Sequence, residues 1–248
     1  MILVLSIILF LLLAFINKKR GVKAFISLYI NFIFLTIAVG LIVLGFNPII
    51  ISLIFSFGTS AFILFFINGI NKKTKIAYLS VIITLILMSA FIIFIGYRSN
   101  MHGFIIEHTD VLHAYSMNIQ INYLYIFMAM MIMMLVGALT NTALDIATSV
   151  NEIIENTPDI GMKDLIKSAN NIGSDIIGTT INTLLFVFIS IFIGFYFFYS
   201  QFLGFAYLIN HKMFMQEISY FIIVVIGSIL IIPIVIYIQS FLYLKRKE

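Results

Sequence analysis

Residues 137–153 read GALTNTALDIATSVNEI, and residues 171–185 read NIGSDIIGTTINTLL. Each stretch sits at one end of a long apolar run. Asn141, Asp145 and Glu152 close one run, and Asp175, Thr179 and Asn182 open the next. A polar group at membrane depth must find a partner or water, since Asp at a helix centre costs roughly 2.5–3.5 kcal/mol on insertion scales. These six residues are therefore the candidate ion or substrate path.

The rest of the chain explains why membrane depth is the relevant scale. Of 248 residues, 62% are hydrophobic and only 10% charged, against about 25% charged in an ordinary soluble domain. Mean hydropathy is +1.17. Apolar runs cover 2–16, 24–45, 49–67, 76–96, 123–147, 175–200 and 218–244, most near the ~20 residues that cross a bilayer core. The fold class expected is all-α integral membrane, with seven transmembrane helices forming one polytopic domain over residues 1–248.

Charge sets the expected orientation. With seven spans, Lys18, Lys19, Arg20, Lys23, Lys72, Lys73, Lys75, Lys163, Lys167, Lys245, Arg246 and Lys247 fall on one side, and only Arg98 and Lys212 on the other. Such a bias places the basic side, with the C-terminus, in the cytoplasm and the N-terminus outside. No positive region precedes the run 2–16 and no A-x-A-like site follows it, so a retained helix is expected rather than a signal peptide. The pI near 9.2 reflects this topology and does not point to nucleic acid.

Helical spacing groups the polar residues. Asn141 and Asp145 are one turn apart, and Glu152 lies seven residues further on nearly the same face. Asn141 is 18 residues beyond Tyr123, about 27 Å along a helix, so it belongs to the inner half of the bilayer. Asp175, Thr179, Asn182 and Thr183 form one stripe at i, i+4, i+7 and i+8. The two patches sit at similar depth on antiparallel neighbours and are expected to meet. Asp145 could instead reach headgroup water, and Asp175 could simply cap its helix against the dipole. Small residues suggest close helix packing: Ser52, Ser56 and Ser60 four apart, Gly137 with Ala143 and Ala147, and Ser174 with Gly178. The connector 159–171 is weakly amphipathic and fits either a surface helix or a solvated loop.

Enzymatic machinery is not visible. The chain has no cysteine, hence no disulfide and no thiolate metal site. It carries no P-loop, HExxH, GxGxxG or Ser-His-Asp signature. His102, His108 and His113 share one outer loop with Glu107 and Asp110, and His211 lies in another, but the spacing fits no tight zinc pattern. No metal, no cofactor and no enzymatic activity are expected.

The residues also carry a resemblance. LGFNPI at 44–49, NGINKKTKIA at 68–77, the two stretches quoted first, and GSILIIP at 227–233 resemble the YibE/F family of bacterial membrane proteins, in its short, YibF-like form. The resemblance implies a multi-pass protein of the bacterial cytoplasmic membrane and a paralogous YibE-like membrane subunit as partner. The family usually has an acidic residue after GAxx and a Ser four residues on; here those positions are Asn141 and Asp145. The arrangement is also similar to the fourth and fifth helices of SecD-like and RND-type permeases, which implies carboxylates coupling proton movement to conformational change, with Asp145 substituting for the usual Asp. A transporter or translocation-complex subunit is therefore expected, or alternatively an accessory membrane subunit that moves nothing itself.

Overall fold

Helical order breaks at one residue near the start of the chain, and that break shapes the first element. In the computed structural model, residues 1–99, 122–200 and 212–244 are described. The first helix, α1, spans Ile2–Val43, but Lys18 within it has φ 46° and ψ −122°, values an L-residue adopts only under constraint. Phe10 and Phe25 pack edge to face with centroids 5.0 Å apart, whereas 15 residues of straight helix would separate them by about 22 Å. The Ser6 and Tyr29 hydroxyls also hydrogen-bond. The chain thus doubles back at Lys18. Gly21 is required beside this turn, since a Cβ there would run into the Leu13 carbonyl. The expected seven-residue gap between the first two apolar runs is therefore a tight turn between two helical arms.

The following elements start and stop where local chemistry directs. Gly45 has φ +91° and lies just past α1. Asn47 caps α2 (Pro48–Phe62), accepting from the Ile49 and Ile50 N–H groups at 3.0 and 3.4 Å. Pro48 at the first helical position loses no hydrogen bond there. The helix widens into a π-helical turn, Ile63–Ile67, and Gly69 at φ +76° then reverses the chain. Thr74 ties that reversal down, accepting from the Asn71 N–H at 2.9 Å. Then follow α3 (Lys72–Ser99), α4 (Tyr123–Asn156), α5 (Met162–Ser200) and α6 (Lys212–Leu244). Asn122 caps α4 by accepting from the Leu124 N–H at 3.0 Å.

Among the described residues six helices are long and apolar enough to cross a membrane, the α1 element counted once, and no strand occurs. Several outrun the bilayer. The 39 residues of α5 make a helix of about 58 Å against a core of about 30 Å. Its first three turns hold residues 162–171 of the connector. Leu165 and Ala169 there are buried in the core, while Lys163, Asp164, Lys167 and Asn170 are exposed. The segment is thus a continuous extension of the membrane helix and not a separate surface helix or loop.

The bundle is organised around α4, which packs against α2, α3, α5 and α6. Met131, Ile132, Leu135 and Leu139 on it are almost wholly buried. Ser52, Ser56 and Ser60 of α2 are each 0% exposed, and α2 lies against α4, so this serine face is spent inside the chain. The hydroxyls of Ser52 and Ser60 donate to their own helix, to Ile49 O at 2.8 Å and Phe57 O at 3.0 Å. Ser56 Oγ has no partner. At the periphery α5 meets α6 through aromatic stacking, with Phe188 5.3 Å from Phe221 and Phe192 4.8 Å from Phe214. Gly173 lets the two helices close, since a Cβ there would lie 2.8 Å from Ile232.

Candidate functional site

The basic end of the bundle holds an open cavity of about 530 Å³. Five parts of the chain build it. Arg20 reaches it from α1 just after the Lys18 turn. Asn68 and Asn71 come from the reversal after the π-helical turn, and Lys73 from the first turn of α3. The walls are Leu144, Asp145, Thr148 and Ser149 of α4 with Ile176, Thr179 and Thr180 of α5. Asp145, Thr148 and Ser149 line one side because they recur at i, i+3 and i+4. The opposite face of the same turns, Ile146, Ala147 and Val150, is buried in the core.

Two cations, one carboxylate, two amides and four hydroxyls thus surround one water-accessible space. With all three ionised, the lining carries one net positive charge. Thr179 is partly occupied, its hydroxyl donating to Ile176 O at 3.0 Å. No group of three His, Cys, Asp or Glu able to hold a metal occurs among the described residues.

Of the six residues singled out from sequence, the cavity gathers Asp145 and Thr179. Asn141, Glu152, Asp175 and Asn182 are exposed and do not line it. Asn141 and Asn182 sit near the middle of α4 and α5, facing outward from the bundle. Gly137 and Gly178, one turn before each, are also exposed, and a Cβ added to either meets nothing within 4 Å. Ala143 and Ala147 are fully buried. The small residues therefore divide: the alanines pack inside the chain and the glycines leave notches on its outside. Arg20, Asn68, Asn71, Lys73, Thr148, Ser149 and Thr180 were not singled out. The lysine and arginine entered only as orientation charges, and the asparagines only within the family-like stretch 68–77. His102, His108, His113 and His211, with Glu107 and Asp110, lie outside the described residues.

This is the architecture of a polytopic α-helical membrane protein with a polar cavity at one end. A family model described as YibE/F-like protein matches residues 5–245, and the chain belongs to that family. No curated protein and no solved structure matches it.

Proposed function

We propose that the chain is a subunit of a membrane transporter or translocation complex in the bacterial cytoplasmic membrane, with its basic end and cavity toward the cytoplasm. The observation that carries this is the cavity, where Asp145 shares about 530 Å³ with Arg20, Lys73 and a set of hydroxyls. A carboxylate at the inner end of a membrane helix, reachable by water and beside fixed cations, can change its charge or exchange partners as a solute passes. On this reading the Lys18 turn separates two spans, giving seven, with the N-terminus outside. The orientation follows from the placement of the lysines and arginines. The chain acts as a conduit, not an enzyme, and Asp145 is its titratable element.

The outward notches favour a second subunit. Gly137 with Asn141, and Gly178 with Asn182, present a glycine and an amide one turn apart on two adjacent helices. Small residues and amides on a lipid-facing surface are what interhelical contact uses. A paralogous YibE-like subunit is the partner proposed. If nothing is transported, these notches support the alternative role, an accessory subunit that stabilises such a partner; the serine face of α2 is not available for it.

Flux tests the choice. Proteoliposomes holding the chain with its paralogue, under imposed proton, sodium or potassium gradients, should conduct at least one ion. Asp145→Asn should reduce that flux by about tenfold, a barrier change of about 1.4 kcal/mol, while Asp175→Asn leaves it within a factor of about two. Flux insensitive to Asp145→Asn removes the carboxylate from the mechanism. Absence of any flux leaves the accessory role.

A further inference from the structure

A second cavity lies at the same end of the bundle, on the other side of the first turn of α3. It is about 330 Å³ in volume and is lined by Lys72, Lys75, Ile76, Asn151, Ile154, Gln239, Leu242 and Tyr243. The register of α3 separates the two spaces. Lys72 and Lys75 are three apart and share a face, whereas Lys73 lines the Asp145 cavity instead.

The composition of this second space is specific. Among the described residues its ionisable lining is two ammonium groups and one phenol, with no carboxylate. Glu155 accepts a hydrogen bond from Asn151 at 2.7 Å and is not part of the lining. The two ammoniums stand at the N-terminus of a 28-residue helix, whose dipole adds positive potential. Gln239 is only 4% exposed. Its Nε2 donates to Ala147 O at 3.1 Å and its Oε1 has no partner, so the wall retains one unspent acceptor. The Tyr243 hydroxyl donates to Pro158 O and holds the end of α6 over the turn after α4. Beside these polar groups stand Ile76, Ile154 and Leu242. Cations next to aliphatic side chains, where membrane helices leave the bilayer, match an amphiphile with an anionic head.

We propose that this cavity binds the headgroup of one anionic phospholipid of the same leaflet. The phosphodiester lies between Lys72 and Lys75, a headgroup hydroxyl faces the Gln239 amide, and the upper acyl chain rests on Ile76, Ile154 and Leu242. The volume lies at the lower end of the ~300–1,000 Å³ typical of small-molecule sites, which suits a headgroup. The free acceptor favours a hydroxyl-bearing head such as phosphoglycerol. This inference does not depend on whether the chain transports anything.

The test is lipid titration of the purified full chain in detergent, read by native mass spectrometry, with phosphatidylglycerol, phosphatidylcholine and soluble glycerol 3-phosphate as separate probes. The expected result is one phosphatidylglycerol per chain, bound more tightly than phosphatidylcholine, with no competition from glycerol 3-phosphate. Each interfacial lysine contributes about a fivefold factor, so Lys72→Gln/Lys75→Gln should weaken binding roughly 25-fold. Lys73→Gln removes one equal charge from the same turn but outside this cavity, and should weaken binding by no more than about fivefold. Lys72→Arg/Lys75→Arg, which keeps both charges, should retain binding and shows that the site tolerates replacement. Equal binding of both lipids overturns the proposal, as does a loss in Lys73→Gln as large as in the double variant. Effective competition by glycerol 3-phosphate also overturns it, in favour of a soluble phosphate ester.

Discussion

Helices α4 and α5 are consecutive, antiparallel and similar in composition, yet they occupy opposite positions in the molecule. Over its most hydropathic 18-residue window α4 is 56% buried, while the corresponding window of α5 is 0% buried. Both carry a glycine, an asparagine one turn on, and an aspartate. In α4 these polar residues share turns with Leu139, Ala143 and Ile146, which are fully buried. In α5 the flanking Leu185, Phe186 and Val187 are exposed. Apolar content makes a membrane helix; whether the chain itself covers that helix depends on the neighbours, and a bilayer rewards either outcome. The uncovered helix is the one left for lipid or a partner.

Substitutions should separate the two helices sharply. Leu139→Ala in α4 removes a fully buried side chain and should cost about 2–5 kcal/mol, measured by reversible unfolding in mixed micelles. Val187→Ala in α5 should cost under about 1 kcal/mol, because 54% of that residue already lies outside the protein. Equal costs would show that α5 is packed by the chain after all. At the seam that α5 does form, Gly173→Leu forces a side chain against Ile232 and should cost about 1–3 kcal/mol. Gly178→Leu should leave the isolated chain unchanged and weaken association with the proposed paralogous partner, read by co-purification. Stable co-purification with that leucine in place would take the notch out of the interface.

Smaller effects probe the polar groups. The proposed tenfold loss of flux in Asp145→Asn, against a change within about twofold in Asp175→Asn, would contrast a carboxylate of α4 inside the cavity with one of α5 outside it. Ser56→Ala removes a buried hydroxyl without a partner and should be neutral or stabilising by up to about 1 kcal/mol. A loss of more than about 1 kcal/mol would mean that this hydroxyl is bonded across the α2–α4 contact.

How far the sequence alone led follows the same division. Apolar run lengths located the membrane helices, since bilayer thickness imposes a minimum that composition displays directly. The ends were less visible. Hydropathy marks where a helix meets lipid, not where it stops, so residues 162–174 of α5 were hidden by Lys163, Asp164 and Lys167, although Leu165 and Ala169 recur at helical spacing. The turn at Lys18 has no proline or adjacent glycine to announce it; Gly21, three residues on, is the signal that was available. Asp145 and Thr179 were legible because cost at depth singles out polar residues within apolar runs. Arg20, Asn68, Asn71 and Lys73 were not, because they reach the cavity from connections more than 70 residues away in sequence from Asp145, and no local period links them to it. The outward direction of Asn141 and Asn182 was likewise beyond periodicity, which groups residues on a face without saying what the face meets.

The most direct test of the proposed cytoplasmic opening of the cavity uses the absence of cysteine from the chain. A single cysteine at Thr148, on the cavity wall, can be probed with a membrane-impermeant maleimide in inverted vesicles and in spheroplasts, with Leu185→Cys as the lipid-depth control. The prediction is rapid labelling of Thr148→Cys in inverted vesicles, none in spheroplasts, and none of Leu185→Cys in either. Failure to label Thr148→Cys from the cytoplasmic face, or equal labelling from outside, would contradict a water-filled cavity open to the cytoplasm.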